Sequence, residues 1–355
     1  MVENNHLDFT GQKFFVGIDN HNKSWTVTIR NSQMHLKTFS MNPSPDELSS
    51  YMHRHYPGGS YYSVYEAGYN GFWIHRQLEA LGLKNIVVHP ADVPTTHKEK
   101  TTKTDKVDSG KLSRELEKSN LKGIYIPDEF HQQLRSLCRL RYHQVQNCTR
   151  VKNRIKGHLR TYGITIPPHR DLTHWSGNFI KWLESVRFSY EPANDYLRLC
   201  IEELQQHRER LSETTRLLRK YCKTDPIDQK IRYLCSVSGI GFVVAVTFYS
   251  EIIDINRFPT LDHLASYVGL VPYLNSSGER DSDGEITNRR NRYLRSLITE
   301  AAWVAVREDP ALLLSFSKLT LRMKKQDAII RIARKLLNRI RYVWKNQKPY
   351  VIATT

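Results

Sequence analysis

Four acidic residues at the ends of strand-like and helix-like runs most constrain what this chain can fold into. Asp19 ends the apolar run Phe14-Phe15-Val16-Gly17-Ile18-Asp19, and Glu66 ends Tyr61-Tyr62-Ser63-Val64-Tyr65-Glu66. Asp105 and Asp108 stand three apart in Lys103-Thr104-Asp105-Lys106-Val107-Asp108, on one face of the helix that begins there. Carboxylates at two strand ends and on one helix face can converge on hard divalent cations. Mg²⁺ takes one or two carboxylates per ion and keeps its other positions for water and phosphate oxygens. Two-metal phosphodiester-cleaving sites have this layout. Four such carboxylates repel one another, so their ionisation is expected to be linked to Mg²⁺ (or Mn²⁺) binding.

The runs between these acids define a mixed α/β segment over residues 14–118. Trp25, Val27 and Ile29 alternate with Thr26, Thr28 and Arg30, the pattern of a half-buried strand. A weaker third strand covers 34–41, and Pro43-Ser44-Pro45-Asp46-Glu47 reads as a helix start with acids at the positive dipole end. Strand 61–66, a helix near 71–81, strand 85–89 and a helix from 105 to 118 follow. Three meandering strands followed by α/β alternation is the order of ribonuclease-H-type nucleases. In that fold the acids lie on the first strand, at the end of the fourth strand and on the final helix.

The charge balance points to a polyanionic partner. The chain carries 53 Lys and Arg against 36 Asp and Glu, a net +17. A basic surface of that size attracts nucleic acid. The longest near-continuous apolar run, Gly241 to Tyr249, is too short to span a bilayer, and the N-terminus shows no secretory pattern. The five cysteines (138, 148, 200, 222 and 235) form no C-x-x-C pair and read as reduced thiols. These features predict no membrane association and a cytoplasmic protein.

Two further regions follow. From 126 to 226 the pattern is helical: Val145, Cys148, Val151, Ile155, Leu159 and Tyr162 mark one helix, and Leu197, Ile201, Leu204, Leu211 and Leu218 a second in near-heptad spacing. Arg208 and Thr215 occupy two of its seam positions. The pair reads either as a hairpin packed on its own domain or as a coiled-coil arm that joins subunits or reaches along nucleic acid. From 227 to 355, Ser238-Gly239-Ile240-Gly241 links two helix-like stretches. It reads either as a plain turn or as a helix-hairpin-helix element in which the Gly239 and Gly241 amides meet DNA phosphate. A basic amphipathic helix near 319–345 carries the stripe Ile329, Ala333, Leu336, Ile340 and Val343.

A second chemical cluster lies between these helices. The stretch 272–292 is polar and rich in Gly and Asp, so it is expected to be a loop, and it leads into an Arg-dense helix. A loop serine facing guanidiniums can act as a nucleophile toward phosphorus, because the cations stabilise the transition state. Arg280, Arg289, Arg290, Arg292 and Arg295 are candidates for phosphate contact. His21 and Lys23, beside Asp19, read equally as site residues or structural ones.

Together these motifs resemble the DEDD-type transposases of the insertion-sequence one-ten family, relatives of the Piv DNA invertases. The resemblance rests on Gly17-Ile18-Asp19, on Tyr65-Glu66-Ala67-Gly68, and on Lys103-Thr104-Asp105-Lys106-Val107-Asp108 with Leu112. In the C-terminal part it rests on Ser238-Gly239-Ile240-Gly241, Gly269-Leu270-Val271-Pro272, Ser277-Gly278, Ile286-Thr287, Asn291 and Leu294-Arg295. Asn22 between His21 and Lys23, Asn288 and Arg290 depart from the family pattern.

The resemblance implies α/β plus α architecture: a RuvC-like catalytic domain over 1–125, a helical coiled-coil middle over 126–226 and a mostly helical transposase domain over 227–355. It assigns metal binding to Asp19, Glu66, Asp105 and Asp108. It puts the catalytic serine at Ser277, with Ser276 adjacent. It further implies recombination of double-stranded donor and target DNA through a phosphoserine intermediate. A structured noncoding bridge RNA would act as guide. A homodimer would assemble to a homotetramer in which acids and serine come from different subunits. The competing readings are a RuvC-like nuclease or junction resolvase, a site-specific invertase, and a non-enzymatic nucleic-acid-binding protein.

Overall fold

The computed structural model describes residues 8–96, 104–271, 273–277, 280–284 and 291–351, with the backbone alone described for 273–284 within that set. The chain divides into two compact units, one up to Ile126 and one from Pro127.

The first unit is built on a five-stranded sheet. Strands β1 (Lys13–Asn20), β2 (Trp25–Asn31), β3 (His35–Met41), β4 (Ser60–Glu66) and β5 (Lys84–Val88) take the order β3-β2-β1-β4-β5. The first three form an antiparallel meander, while β4 and β5 run parallel to β1. Helices α1 (Pro45–His55) and α2 (Trp73–Ala80) separate the later strands, and α3 (Asp105–Glu117) closes the unit. This mixed sheet with helices is ribonuclease-H-like. Period-two alternation divides the side chains between two layers. Phe14, Val16, Ile18, Trp25, Val27, Ile29, Tyr61 and Tyr65 pack with Leu48 and Met52 of α1 and Ile74 and Leu78 of α2. Val64, Val88, Val93 and Leu112 form a smaller core with α3.

The expected half-buried β2 is buried on both faces. Thr26 and Thr28 join its apolar residues in the interior. The cause is α3, whose Ser109 hydroxyl hydrogen-bonds Thr28 at 2.9 Å. A paired buried hydroxyl avoids the desolvation penalty of an unpaired one, so threonine is tolerated there.

The second unit is largely helical. Helix α4 (Glu129–Thr161) and α6 (Glu191–Tyr221) lie side by side, bridged by α5 (Gly177–Ser185). Their cross-links fix the direction: Arg141 meets Thr215, Arg154 meets Glu203, and His158 meets the carbonyl of Ala193. As one number rises the other falls, so the helices are antiparallel. Cys148, Val151, Ile155 and Leu159 pack against Leu197, Cys200, Ile201, Leu204 and α5. The apolar seam is therefore satisfied within one chain along this stretch. Val145 and Tyr162, expected in the stripe, are exposed, and Gln144 is buried instead. The stripe drifts because a straight helix does not hold a fixed repeat over its full length. Arg208 is exposed, and Thr215 accepts from Arg141.

The other ends of α4 and α6 run into the C-terminal core, where Leu134, Cys138, Leu218 and Cys222 pack. With them lie α7 (Ile227–Cys235), α8 (Phe242–Ile252), α9 (Leu261–Val268), α10 (Arg292–Glu308), α11 (Pro310–Thr320) and α12 (Lys325–Asn346). The stripe expected for α12 is buried, and several of its cations are engaged internally. Arg339 pairs with buried Asp309, and Arg341 donates to the Pro259 carbonyl. Among the described residues no helix is long and apolar enough to cross a membrane.

The stretch 272–292 is not simply a loop. Strands β6 (Tyr273–Ser277) and β7 (Arg280–Gly284) pair antiparallel, two residues apart in sequence. Their Asn, Ser, Asp and Gly content hides a strand from any apolar pattern.

Candidate functional site

Gly17 sets the geometry of the acidic edge. A Cβ there would lie 2.1 Å from the Ser109 carbonyl oxygen and 2.5 Å from the Ser113 nitrogen. Only a glycine in the middle of β1 lets the α3 backbone approach this closely. Two further contacts pin α3: the Ser109–Thr28 hydroxyl pair, and Arg30 of β2 on Glu117 at 2.7 Å. Thr104 caps the helix by accepting from the Val107 amide. Asp105 and Asp108 thus sit in its first turn, where the helix dipole favours negative charge. Glu66 is held by the ladder to Val88, which the Ala67 amide extends to the Val88 carbonyl.

The four acids meet at this edge in two groups. The Nε2 of His21 lies 3.4 Å from Asp19 and 3.8 Å from Asp105. The ligand atoms of Asp19, His21 and Asp105 all fall within 4.8 Å of one another. Beside them, the Lys111 ammonium lies 3.0 Å from Asp108 and 3.6 Å from Glu66. Burial pushes the Asp19 carboxyl above the usual aspartate range. His21 opposes the rise, while Asp105, Asp108 and Glu66 add to it. All four acids therefore share one electrostatic site.

Two carboxylates and an imidazole offer a divalent ion oxygen and nitrogen ligands at the separations one ion spans. The residues present fit a divalent metal by donor chemistry and by distance. His21 stands at the acids, whereas Lys23 is exposed in the β1–β2 turn. Sequence reasoning missed Lys111. The available signal was its i+3 spacing from Asp108, which puts both on one helix face.

In the second unit, the ends of the serine-bearing segment are clamped. Buried Glu251 accepts two hydrogen bonds from Arg139, at 2.8 and 3.0 Å, and pairs with Arg135 at 3.3 Å. It also accepts from Asn291 at 2.9 Å, and Asn291 caps α10 by accepting from the Tyr293 and Leu294 amides. Arg295 donates to the Gly269 carbonyl at 3.1 Å, tying the start of α10 to the end of α9. The sequence analysis passed over Glu251. A lone acid in the apolar run Phe242 to Ile252 was the signal, because a buried charge needs a partner.

The other candidates are placed as follows. Register pairs Ser277 with Arg280, and Ser276 with Asp281. Arg289 and Arg290 lie outside the described residues. Arg292 is exposed and donates to the Tyr293 hydroxyl. Gly239 has φ +81°, and its amide donates to Glu308 at 3.1 Å, so that amide is already engaged. Its need for glycine comes from α10, since a Cβ would lie 2.5 Å from the Ala301 carbonyl. Gly241 caps α8 with open space around it. The thiols are poor nucleophiles here: burial pushes Cys138 up to about 11 and Cys222 up to about 12.

Residues 16–164 match the model of the DEDD-type IS110 transposases, and residues 231–316 match that of the transposase IS116/IS110/IS902 family. The chain belongs to the IS110 family of transposases. This IS110-family chain is 28% identical to the Sinorhizobium fredii protein y4qE over 68% of its own length and 58% of that relative. It is 29% identical to y4rJ of the same organism, over 77% and 74%. Against the transposase for insertion sequence element IS1111A of Coxiella burnetii it is 24% identical, over 66% and 62%. The chain thus spans about three-fifths to three-quarters of the length of these curated relatives.

Proposed function

We propose that this IS110-family chain is a DNA transposase that breaks and rejoins strands through a serine–DNA ester at Ser277, with a divalent ion at the Asp19, Glu66, Asp105 and Asp108 edge. A structured noncoding RNA selects donor and target DNA, and homodimers assemble to a tetramer. The supporting observation is the meeting of four carboxylates from three separate elements at one edge.

The chemistry follows from the side chains. The Ser277 oxygen attacks phosphorus, a P–O bond to the sugar breaks, and the serine proton ends on the departing sugar oxygen. A sugar hydroxyl of the exchanged strand later attacks the ester and returns the proton to serine. Each step forms one P–O bond and breaks one, so no ATP is needed. A bound divalent ion supplies charge neutralisation at the phosphate and acidifies the attacking hydroxyl. Backbone register pairs Ser277 with Arg280 and Ser276 with Asp281, and the Ser277→Ala and Ser276→Ala variants separate the two candidates. The net charge of +17 suits two DNA duplexes and an RNA.

Asp19→Asn, Glu66→Gln, Asp105→Asn and Asp108→Asn test the acidic half of this reading. Each is expected to lower Mg²⁺-dependent cleavage of donor DNA by at least about a hundredfold. DNA binding, read by mobility shift, is expected to persist. Wild-type cleavage by Asp19→Asn would contradict the assignment.

A further inference from the structure

The acidic edge is divided unequally between its cations. His21 stands between Asp19 and Asp105, and these three offer one compact ligand set. Glu66 and Asp108 face the Lys111 ammonium instead. The Lys111 side chain is only 8% exposed. A buried ammonium must keep its counter-charges, since an uncompensated buried charge is strongly unfavourable. Catalytic ion pairs that share carboxylates sit only about 3.5–4 Å apart. A second ion beside the first would therefore need the carboxylates that Lys111 occupies. It would also strand the ammonium in an enclosed pocket.

We propose that Lys111 serves as a resident monovalent cation in place of a second divalent ion, so that each chain binds one divalent ion, on the Asp19–His21–Asp105 side. Lys111 is a positioning residue: it holds Glu66 and Asp108 in place before any ion or DNA arrives. Helix α3 thereby supplies both Asp105 and the built-in cation. This inference rests on the reading that the acidic edge holds divalent metal.

The test is Mn²⁺ binding to the full-length protein, counted by calorimetry and by the loss of the free-Mn²⁺ electron paramagnetic resonance signal. Wild type is expected to bind one ion per chain, and Asp19→Asn none. Lys111→Met, of similar length and without charge, is expected to bind two. The second ion is expected to vanish in the Lys111→Met, Asp108→Asn double variant. Lys111→Arg, which keeps the charge, is expected to stay at one. Two ions at the wild-type edge, both lost on removing Asp19 and Asp108, would overturn the proposal and leave the metal reading standing. So would a single ion in folded Lys111→Met. If Lys111→Met does not fold, by circular dichroism, the wild-type count alone decides. No Mn²⁺ bound by wild type would overturn both this proposal and the metal reading beneath it.

Discussion

Asp19 is the residue on which burial and charge act together. Its folded value lies above the ordinary aspartate value, chiefly because of burial. The folded state therefore holds the Asp19 proton more tightly than the unfolded chain does. At neutral pH the ionised carboxylate subtracts stability. That loss sets in as pH rises from the ordinary aspartate value through the raised folded value, and it is absent at lower pH. Asparagine has no proton to lose. Metal-free Asp19→Asn is thus expected to melt at a higher temperature than wild type at neutral pH, with the gap closing toward acid. Melting curves in chelator across a pH series check this. An equal or lower melting temperature for Asp19→Asn at neutral pH would contradict it. The same site shows what a residue-level reading of sequence misses. A lysine three positions after Asp108 can turn to solvent or into the cluster, and spacing alone does not choose. Lys111 turns inward because Glu66 arrives from β4, a long-range fact.

At the scale of elements, the pairing of β1 with α3 decides where the acids go. Gly17 brings the α3 backbone onto the strand, and any Cβ there meets backbone atoms that cannot rotate away. Gly17→Ala is expected to lower stability by about 1–3 kcal/mol, the usual range for overpacking. It is also expected to reduce metal-dependent DNA cleavage more than DNA binding. Urea unfolding and the cleavage assay check these, and an unchanged midpoint with full cleavage would contradict them. The strands of this unit were readable because apolar residues recur at period two and stop at acids. Helix α3 was readable from its first turn. The burial of Thr26 and Thr28 was not, because it depends on a helix some eighty residues later in the chain (Ser109 on Thr28). The β6–β7 hairpin escaped for a different reason. Its Asn, Ser, Asp and Gly residues are poor strand formers, so no apolar alternation marks it in the sequence. Val145 was misplaced because the helical stripe drifts by one residue where α4 passes between two cores, and Gln144 faces inward there.

At the scale of the whole molecule, the residues proposed to do chemistry lie on two compact units. The acids belong to the unit that ends at Ile126, and the serine hairpin to the unit that begins at Pro127. The segment that carries Ser277 is anchored at both ends. Glu251, Arg135, Arg139 and Asn291 fix the start of α10, and Arg295 ties it to Gly269. A hydrolytic nuclease has no need of a nucleophilic serine, whereas the proposed serine recombinase requires both the acids and the serine. Covalent trapping separates the two most directly. Wild type, Ser277→Ala and Ser276→Ala would each meet end-labelled donor and target DNA with Mg²⁺ and the transcript flanking the gene. Denaturing gels would then be read for label carried by protein. A protein–DNA adduct that persists in Ser276→Ala and vanishes in Ser277→Ala is the expected result. Free cleaved ends without any adduct, unchanged by Ser277→Ala, would contradict the serine mechanism.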